Sequence, residues 1–252
     1  MFLNELKEKM PIKMLLIGDT GSGKTGALAS LAKAGYKLHI LDFDNGVPVI
    51  ASYLNEAELK TVEVEVLTDK MKVLPNGQVI PDGLPKAFSE GMKILTKWSE
   101  QYTSKQDVIV IDSFTMLSNA VMRYALAMAG RPAGPAQIQD WGVAQNYITQ
   151  VLAMLYSTDV KCNVIINAHI KYLEGENGGM KVAQVNTLGS ALPPTVGRYF
   201  NNMFWAGLIG TKRVIKTKAS PTMALKSSNP TKIADEYPLE TGLATILKIL
   251  SE

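Results

Sequence analysis

The chain has 252 residues, 46% hydrophobic and 19% charged, with a formal net charge of +3. That suits one α/β domain with small additions. No apolar run approaches the roughly 18 residues a membrane span requires. Residues 1–10 carry Glu5, Lys7, Glu8 and Lys9 and lack the apolar stretch of a signal peptide. One cysteine, Cys162, excludes an internal disulfide framework, so the expectation is a cytoplasmic protein without membrane partners.

Phe2, Leu3, Leu6 and Met10 recur at helical spacing, so residues 1–10 are expected to form a short amphipathic helix, a lid on the core or a hook for self-assembly. Ile12 to Ile17 is a nearly continuous apolar run, as a buried parallel strand requires. It feeds Gly18-Asp19-Thr20-Gly21-Ser22-Gly23-Lys24-Thr25, the pattern G-x-x-x-x-G-K-[ST]. Glycines let such a loop turn its backbone N–H groups onto phosphates. Lys24 is expected to reach the β- and γ-phosphate oxygens, and the Thr25 hydroxyl to ligate Mg²⁺. The stretch Gly18–Gly26 is thus the expected ATP cradle, opening a helix from Thr25 to Ala34 that Gly35 ends.

A second strand is expected over Tyr36–Phe43 and an edge strand over Thr61–Leu67, where valines alternate with Glu63 and Glu65. Pro75-Asn76-Gly77 between apolar residues predicts a hairpin insertion near 70–82. Helix over Leu84–Tyr102, strand over Asp107–Ile111 and helix over Phe114–Ala129 follow. A glycine–proline loop near 130–136, a helix over Ile138–Ser157 and a strand over Lys161–Asn167 come next. Glycines and the Pro193-Pro194 pair suggest a long mobile loop over 171–194. Strands at Met203–Ile209, Lys212–Lys218 and near Met223–Lys226 precede a terminal helix, Leu239–Leu250. This alternation predicts a three-layer α/β core with a mainly parallel sheet and a C-terminal antiparallel extension.

Three further positions carry chemistry. Val108 to Ile111 is apolar and ends in Asp112, expected on a strand beside the first, next to the Mg²⁺ shell. Asp42 and Asp44 close the second strand. Asp44, past the strand end, is the better placed to polarise the water that attacks the γ-phosphate. His169 follows Ile165-Ile166-Asn167-Ala168, where α/β proteins bind ligands, and is a candidate sensor of the γ-phosphate. Charge is also uneven. Residues 177–234 contain no acid but eight basic residues, among them Arg198, Arg213, Lys216 and Lys218, leaving −5 for the remainder. Such a segment suits a polyanion or a neighbour's acidic face.

These motifs, in this order, together with Arg213-Val214-Ile215-Lys216-Thr217-Lys218, resemble the RecA-like recombinase core. Asp140-Trp141-Gly142 and Asn167-Ala168-His169 make the chain most similar to phage-encoded minimal RecA-like ATPases associated with single-strand annealing. The resemblance implies a RecA-like P-loop NTPase fold over roughly residues 10–250. It puts Asp44 where the family has its water-activating acid (glutamate in RecA) and His169 where RecA has a glutamine coupling nucleotide to DNA. Lys216 and Lys218 match a pair that reaches the neighbouring subunit's ATP site. The loops near 130–136 and 171–194 match the DNA-facing loops, making Arg131, Lys171, Lys181 and Arg198 candidate DNA contacts.

The expected activity is therefore an ATP- and Mg²⁺-dependent, DNA-stimulated hydrolase. It would bind single-stranded DNA, assemble with itself as a filament or ring, and promote annealing or strand pairing, with a single-strand-binding protein as a candidate partner. An alternative is a nucleotide-gated adaptor or loader that recruits a helicase or single-strand-binding protein with little hydrolysis. A small-molecule kinase is disfavoured, because the chain has only four arginines and none between Lys171 and Arg198 to build a lid.

Overall fold

The computed structural model describes residue 2, residues 10–175 and residues 179–252. The helix expected over residues 1–10 thus falls, apart from Phe2 and Met10, outside the described residues. The strands are β1 (Lys13–Gly18), β2 (Lys37–Asp42), β3 (Val62–Val66), β4 (Met71–Val73), β5 (Val79–Pro81), β6 (Asp107–Asp112), β7 (Asn163–Gly175), β8 (Gly179–Val185), β9 (Asn202–Ile209), β10 (Lys212–Lys216) and β11 (Glu236–Pro238). The helices are α1 (Lys24–Ala27), α2 (Ala29–Lys33), α3 (Glu56–Leu59), α4 (Ala87–Gln101), α5 (Phe114–Met128), α6 (Ile138–Tyr156), α7 (Pro193–Val196) and α8 (Leu239–Ser251), with a 3₁₀ helix over Val47–Tyr53.

The main sheet runs β11-β10-β9-β1-β7-β6-β2-β3, with β8 paired to the far end of β7. Strands β9, β1, β7, β6, β2 and β3 are mutually parallel, whereas β10 pairs antiparallel with β9 and β11 antiparallel with β10. The architecture is an α/β P-loop core with a C-terminal antiparallel extension. Alternation along the strands builds its two apolar layers. Leu15, Ile17, Ile109, Ile111, Val164 and Ile166 join Phe114, Leu117, Ile148 and Leu152 of α5 and α6 on one face. Met14, Leu16, Val108, Val110 and Ile165 join Leu28, Leu31, Leu243 and Leu247 on the other. Even the lysine inside β1 is absorbed. Lys13 is buried, and its Nζ donates to the carbonyls of Leu155 and of Ser157 (2.8 Å) at the end of α6. Burial lowers its pKa to about 8.

The structure corrects four expectations. β6 is not beside β1, because β7 lies between them and pairs with both. The segment 171–194 is not an unpatterned loop: β7 continues through Gly175 and β8 returns antiparallel, aligning Ile170 with Val185 and Tyr172 with Ala183. The apolar Val182 and Val185 supply the returning strand, and the register runs on to pair Gly175 with Gly179. Met223–Lys226 makes only isolated bridges among the described residues, to Ala183, Met203 and Ser220, and the sheet edge is instead β11. The helix after the phosphate loop is divided at Leu28 into α1 and α2. The insertion near 70–82 is the β4–β5 hairpin, and residues 130–136 form an irregular connection between α5 and α6.

Candidate nucleotide site

Parallel pairing brings the carboxyl ends of four strands to one edge. Gly18 aligns with His169, Asp112 with Asn167, and Asp42 with Asp112. Ligands of open α/β sheets bind at such an edge. A cavity of about 1220 Å³ opens there, walled by the Gly18–Gly26 loop, Asp44, Asp112 and His169, and farther out by Tyr53, Arg213 and residues Glu236–Glu240.

The loop is shaped by close approach. A Cβ on Gly18 would overlap the Ala206 carbonyl of β9, and Gly21 and Gly23 hold φ of 75° and 94°. Lys24 is buried. Its Nζ donates to the carbonyls of Gly18 (3.0 Å) and Asp19 (2.9 Å), with Ser22 Oγ at 3.3 Å. Burial pulls its pKa down, against the opposing charges of Asp112, Asp19 and Asp44. A cation held on carbonyl dipoles, inside a loop of inward-facing backbone, is the arrangement a phosphate can displace and pair with.

Asp112 is 1% exposed, and burial pushes its carboxyl up to about 6 against hydrogen bonds from Thr25 and Asn167. Asn167 Nδ2 donates to Asp112 Oδ2 at 3.1 Å, while Asn167 Oδ1 is buried and finds no partner among the described residues. A buried carboxylate, a hydroxyl and an unpaired amide oxygen form a hard-oxygen donor set that suits Mg²⁺. No cluster of three His, Cys, Asp or Glu occurs among the described residues. Mg²⁺ needs none, since it is commonly held by one or two carboxylates plus substrate phosphates.

The two acids after β2 separate by role. Asp42 is fully buried and accepts from the backbone N–H groups of Asp44 (3.3 Å), Gly46 (3.3 Å) and Val47 (3.1 Å), folding the chain past the strand end. Asp44 is carried into the cavity by that fold, with Oδ2 4.0 Å from His169 Nε2. On its other side, His169 Nδ1 lies 3.4 Å from Thr20 Oγ1 and 3.5 Å from Lys24 Nζ. Burial, then the Lys24 charge, lowers the His169 pKa. A neutral imidazole that accepts at Nδ1 carries its proton on Nε2, facing Asp44.

His169 is not at a strand end, as expected, but within β7, where the strand leaves the parallel sheet for the β7–β8 hairpin. Its backbone is clamped there. His169 N–H donates to Thr115 Oγ1 (3.1 Å), Thr115 Oγ1 donates to Asn186 O (2.8 Å), and Asn186 N–H returns to His169 O (2.8 Å). Three residues on, Tyr172 OH lies 3.4 Å from Asp19 Oδ2 of the phosphate loop.

Other candidates stand apart. Lys216 is exposed and Lys218 pairs with Asp235 at 2.6 Å; neither lines the cavity. Arg131 donates to Asp140 Oδ1 at 2.6 Å, a carboxylate whose other oxygen accepts the Gln137 N–H, so it braces the start of α6. Lys171 Nζ donates to Gly189 O (3.1 Å), Lys181 lies 3.8 Å from Glu174, and Arg198 is exposed. The outer wall, Tyr53, Arg213 and Tyr237–Glu240, was missed from sequence. Its members come from distant segments with no shared motif, and only the sheet order joins them.

A comparison with curated proteins finds no match. Among solved structures, the chain is similar to the RadB recombinase at a TM-score of 0.44 and 15% identity, covering 81% of this chain and 79% of that one. It is also similar to the assembled ATPase EscN, in complex with its central stalk EscO from the type III secretion system of enteropathogenic E. coli. That match has a TM-score of 0.46 and 12% identity, covering 79% of this chain and 44% of that one. No helix among the described residues is long and apolar enough to cross a membrane. A family model described as an AAA domain matches residues 10–227, a span that holds the phosphate loop, Asp44, Asp112 and His169 together, and the chain belongs to that family of P-loop ATPases.

Proposed function

We propose that this chain is a Mg²⁺-dependent ATP hydrolase stimulated by single-stranded DNA. We further propose that it acts in the cytoplasm as a self-assembling, phage-type RecA-like protein promoting annealing or strand pairing. The observation that carries the reading is the placement of His169. One ring edge faces Lys24, the other faces Asp44, and its strand continues into the β7–β8 hairpin.

In this reading the loop N–H groups and Lys24 hold the β- and γ-phosphates. Thr25 and Asp112 hold Mg²⁺, which supplies charge neutralisation on the phosphates when bound. Asp44 accepts a hydrogen bond from the attacking water and orients it. His169 Nε2–H donates to the γ-phosphate side of the cleft, so phosphate occupancy bears on the hairpin through the Thr115–Asn186 clamp. Lys171 and Lys181 on that hairpin, with Arg131 and Arg198, are the proposed DNA contacts, giving salt-sensitive and weakly sequence-selective binding. Lys216 and Lys218 are proposed to stabilise charge at the ATP of a neighbouring subunit in a ring or filament.

ATP turnover measured with and without single-stranded DNA tests the proposal. Stimulation by DNA in the wild type and its loss in Lys24→Ala are expected. An active Lys24 site that ignores DNA would overturn the DNA reading. Tight ATP-dependent DNA binding with almost no turnover would favour the nucleotide-gated adaptor or loader.

A further inference from the structure

Arg213 lies outside every motif that defines the cleft, yet it lines the same cavity as the phosphate loop. It comes from β10, two strands from β1, where β10 pairs antiparallel with β9 and Arg213 aligns with Leu208. Its Cδ stands 3.4 Å from the point a Cβ on Gly23 would occupy, so the stem runs beside the loop immediately before Lys24. Strand alternation puts Arg213 on the same side of β10 as Ile215, and Ile215 packs toward Gly242 of α8 in the layer that also holds α1 and α2. Lys216 falls on the opposite side, and Lys218 lies beyond the end of β10. No described residue engages the Arg213 guanidinium in a hydrogen bond or ion pair. Glu236 and Glu240 also line the cavity, and neither is paired with it.

We propose that Arg213 binds the nucleotide of its own subunit, placing its guanidinium on the non-transferred phosphates beside Gly23. The proposal rests on the reading of the Gly18–Thr25 cavity as a nucleoside polyphosphate site. Backbone N–H groups of such a loop cradle the α- and β-phosphates, while the lysine reaches the β- and γ-phosphates. A cation on the Gly23 side therefore meets phosphates that ATP and ADP share. The planar fork of arginine suits two phosphate oxygens at once. Basic residues on and just after β10 would thus divide between two sites, Arg213, beside Lys212 at the same cavity, serving its own loop and Lys216 and Lys218 the neighbour's.

The test is the affinity of the full chain for Mg²⁺–ATP and Mg²⁺–ADP, by calorimetry at concentrations where it is dispersed. Arg213→Gln and Arg213→Met both keep the stem beside Gly23 and remove the charge. Each folded variant should lose about tenfold or more in affinity, by the same factor for ATP and ADP. Arg213→Lys should recover only part of it, because an ammonium lacks the fork. Wild-type ADP affinity in either folded charge-removed variant overturns the proposal while leaving the nucleotide site standing. A wild-type chain that binds neither nucleotide, or a Lys24→Ala variant that binds both unchanged, overturns the nucleotide reading itself.

Discussion

His169 and Asp44 face each other across the cleft, Nε2 to Oδ2 at 4.0 Å, from β7 and the end of β2, which are separated in the sheet by β6. The gap exceeds a direct hydrogen bond and lies beside Lys24, so both side chains border the same small space.

His169→Ala should therefore keep ATP binding within about threefold and lose most of the DNA stimulation, since its proposed task is to report occupancy rather than to hold phosphate. The His169 pKa is lowered from its usual 6.5 by burial and Lys24, so the neutral ring prevails at neutral pH. Stimulation should persist above pH 6.5 and fall as the pH drops below it through the lowered pKa. A pH profile of DNA-stimulated turnover measures this. The same acid limb in His169→Gln would contradict the assignment.

Asp112→Asn should abolish Mg²⁺-dependent turnover yet raise stability. A carboxyl elevated from its ordinary 3.8 to about 6 by burial is a charge the fold tolerates at a cost of roughly 3 kcal/mol at pH 7. The folded state binds the proton more tightly than the unfolded chain, so this cost shrinks as the pH falls from about 6 towards 3.8. Thermal melts should accordingly show the variant above the wild type at pH 7.5, and the gap closing near pH 4. A variant less stable at both pH values would show that the carboxylate is instead compensated.

Lys216→Ala is expected to lower turnover of the assembled protein without weakening ATP binding by a dispersed subunit, because Lys216 is exposed and outside its own cavity. Lys24→Ala should remove nucleotide-dependent DNA binding altogether. Turnover against protein concentration, alongside calorimetry, distinguishes them. Equal loss of binding in a dispersed Lys216→Ala subunit would contradict action across an interface.

Far from the cleft, His39 is buried between two carboxylates, Nδ1 at 2.8 Å from Glu63 and Nε2 at 3.1 Å from Asp107, and stacked on Tyr102 at 3.5 Å. Tyr102 OH also donates to Glu63 at 2.8 Å. Partial burial pushes the Glu63 carboxyl up, but bonds from His39 and Tyr102 outweigh it and hold the pKa below the ordinary value. Its contribution is present above pH 4.5 and lost as the pH falls through the lowered value. His39→Ala should cost about 1–3 kcal/mol in urea unfolding at pH 7, since Asp107 then loses its imidazole partner and Glu63 keeps only Tyr102. A variant within 0.5 kcal/mol (roughly the scatter of neutral surface changes) would argue that the cluster contributes nothing.

Much of this protein was legible because its strongest signals are local. A phosphate loop needs its glycines, lysine and threonine within one turn of chain, so Gly18–Thr25 announces itself. Buried parallel strands need unbroken apolar runs, so β1 and β6 do too. Asp44, Asp112 and His169 could be picked as polar residues ending or following such runs and expected around one γ-phosphate, but which strands stand side by side to bring them there could not. Insertion of β7 between β1 and β6, and the packing of Tyr53, Arg213 and α8 around the loop, depend on pairings between distant segments. A strand's partners are chosen by total burial across two faces of a sheet, which no single stretch encodes. The pairing of β7 with β8 shows the same limit, since a glycine-rich stretch reads as loop until Ile170–Leu173 has Val182–Val185 to pair with. Sequence alone thus determined the phosphate-loop motif and the fold class. The tertiary structure decided which side chains share the cavity, because adjacency at a sheet edge is set by strand order and not by chain order.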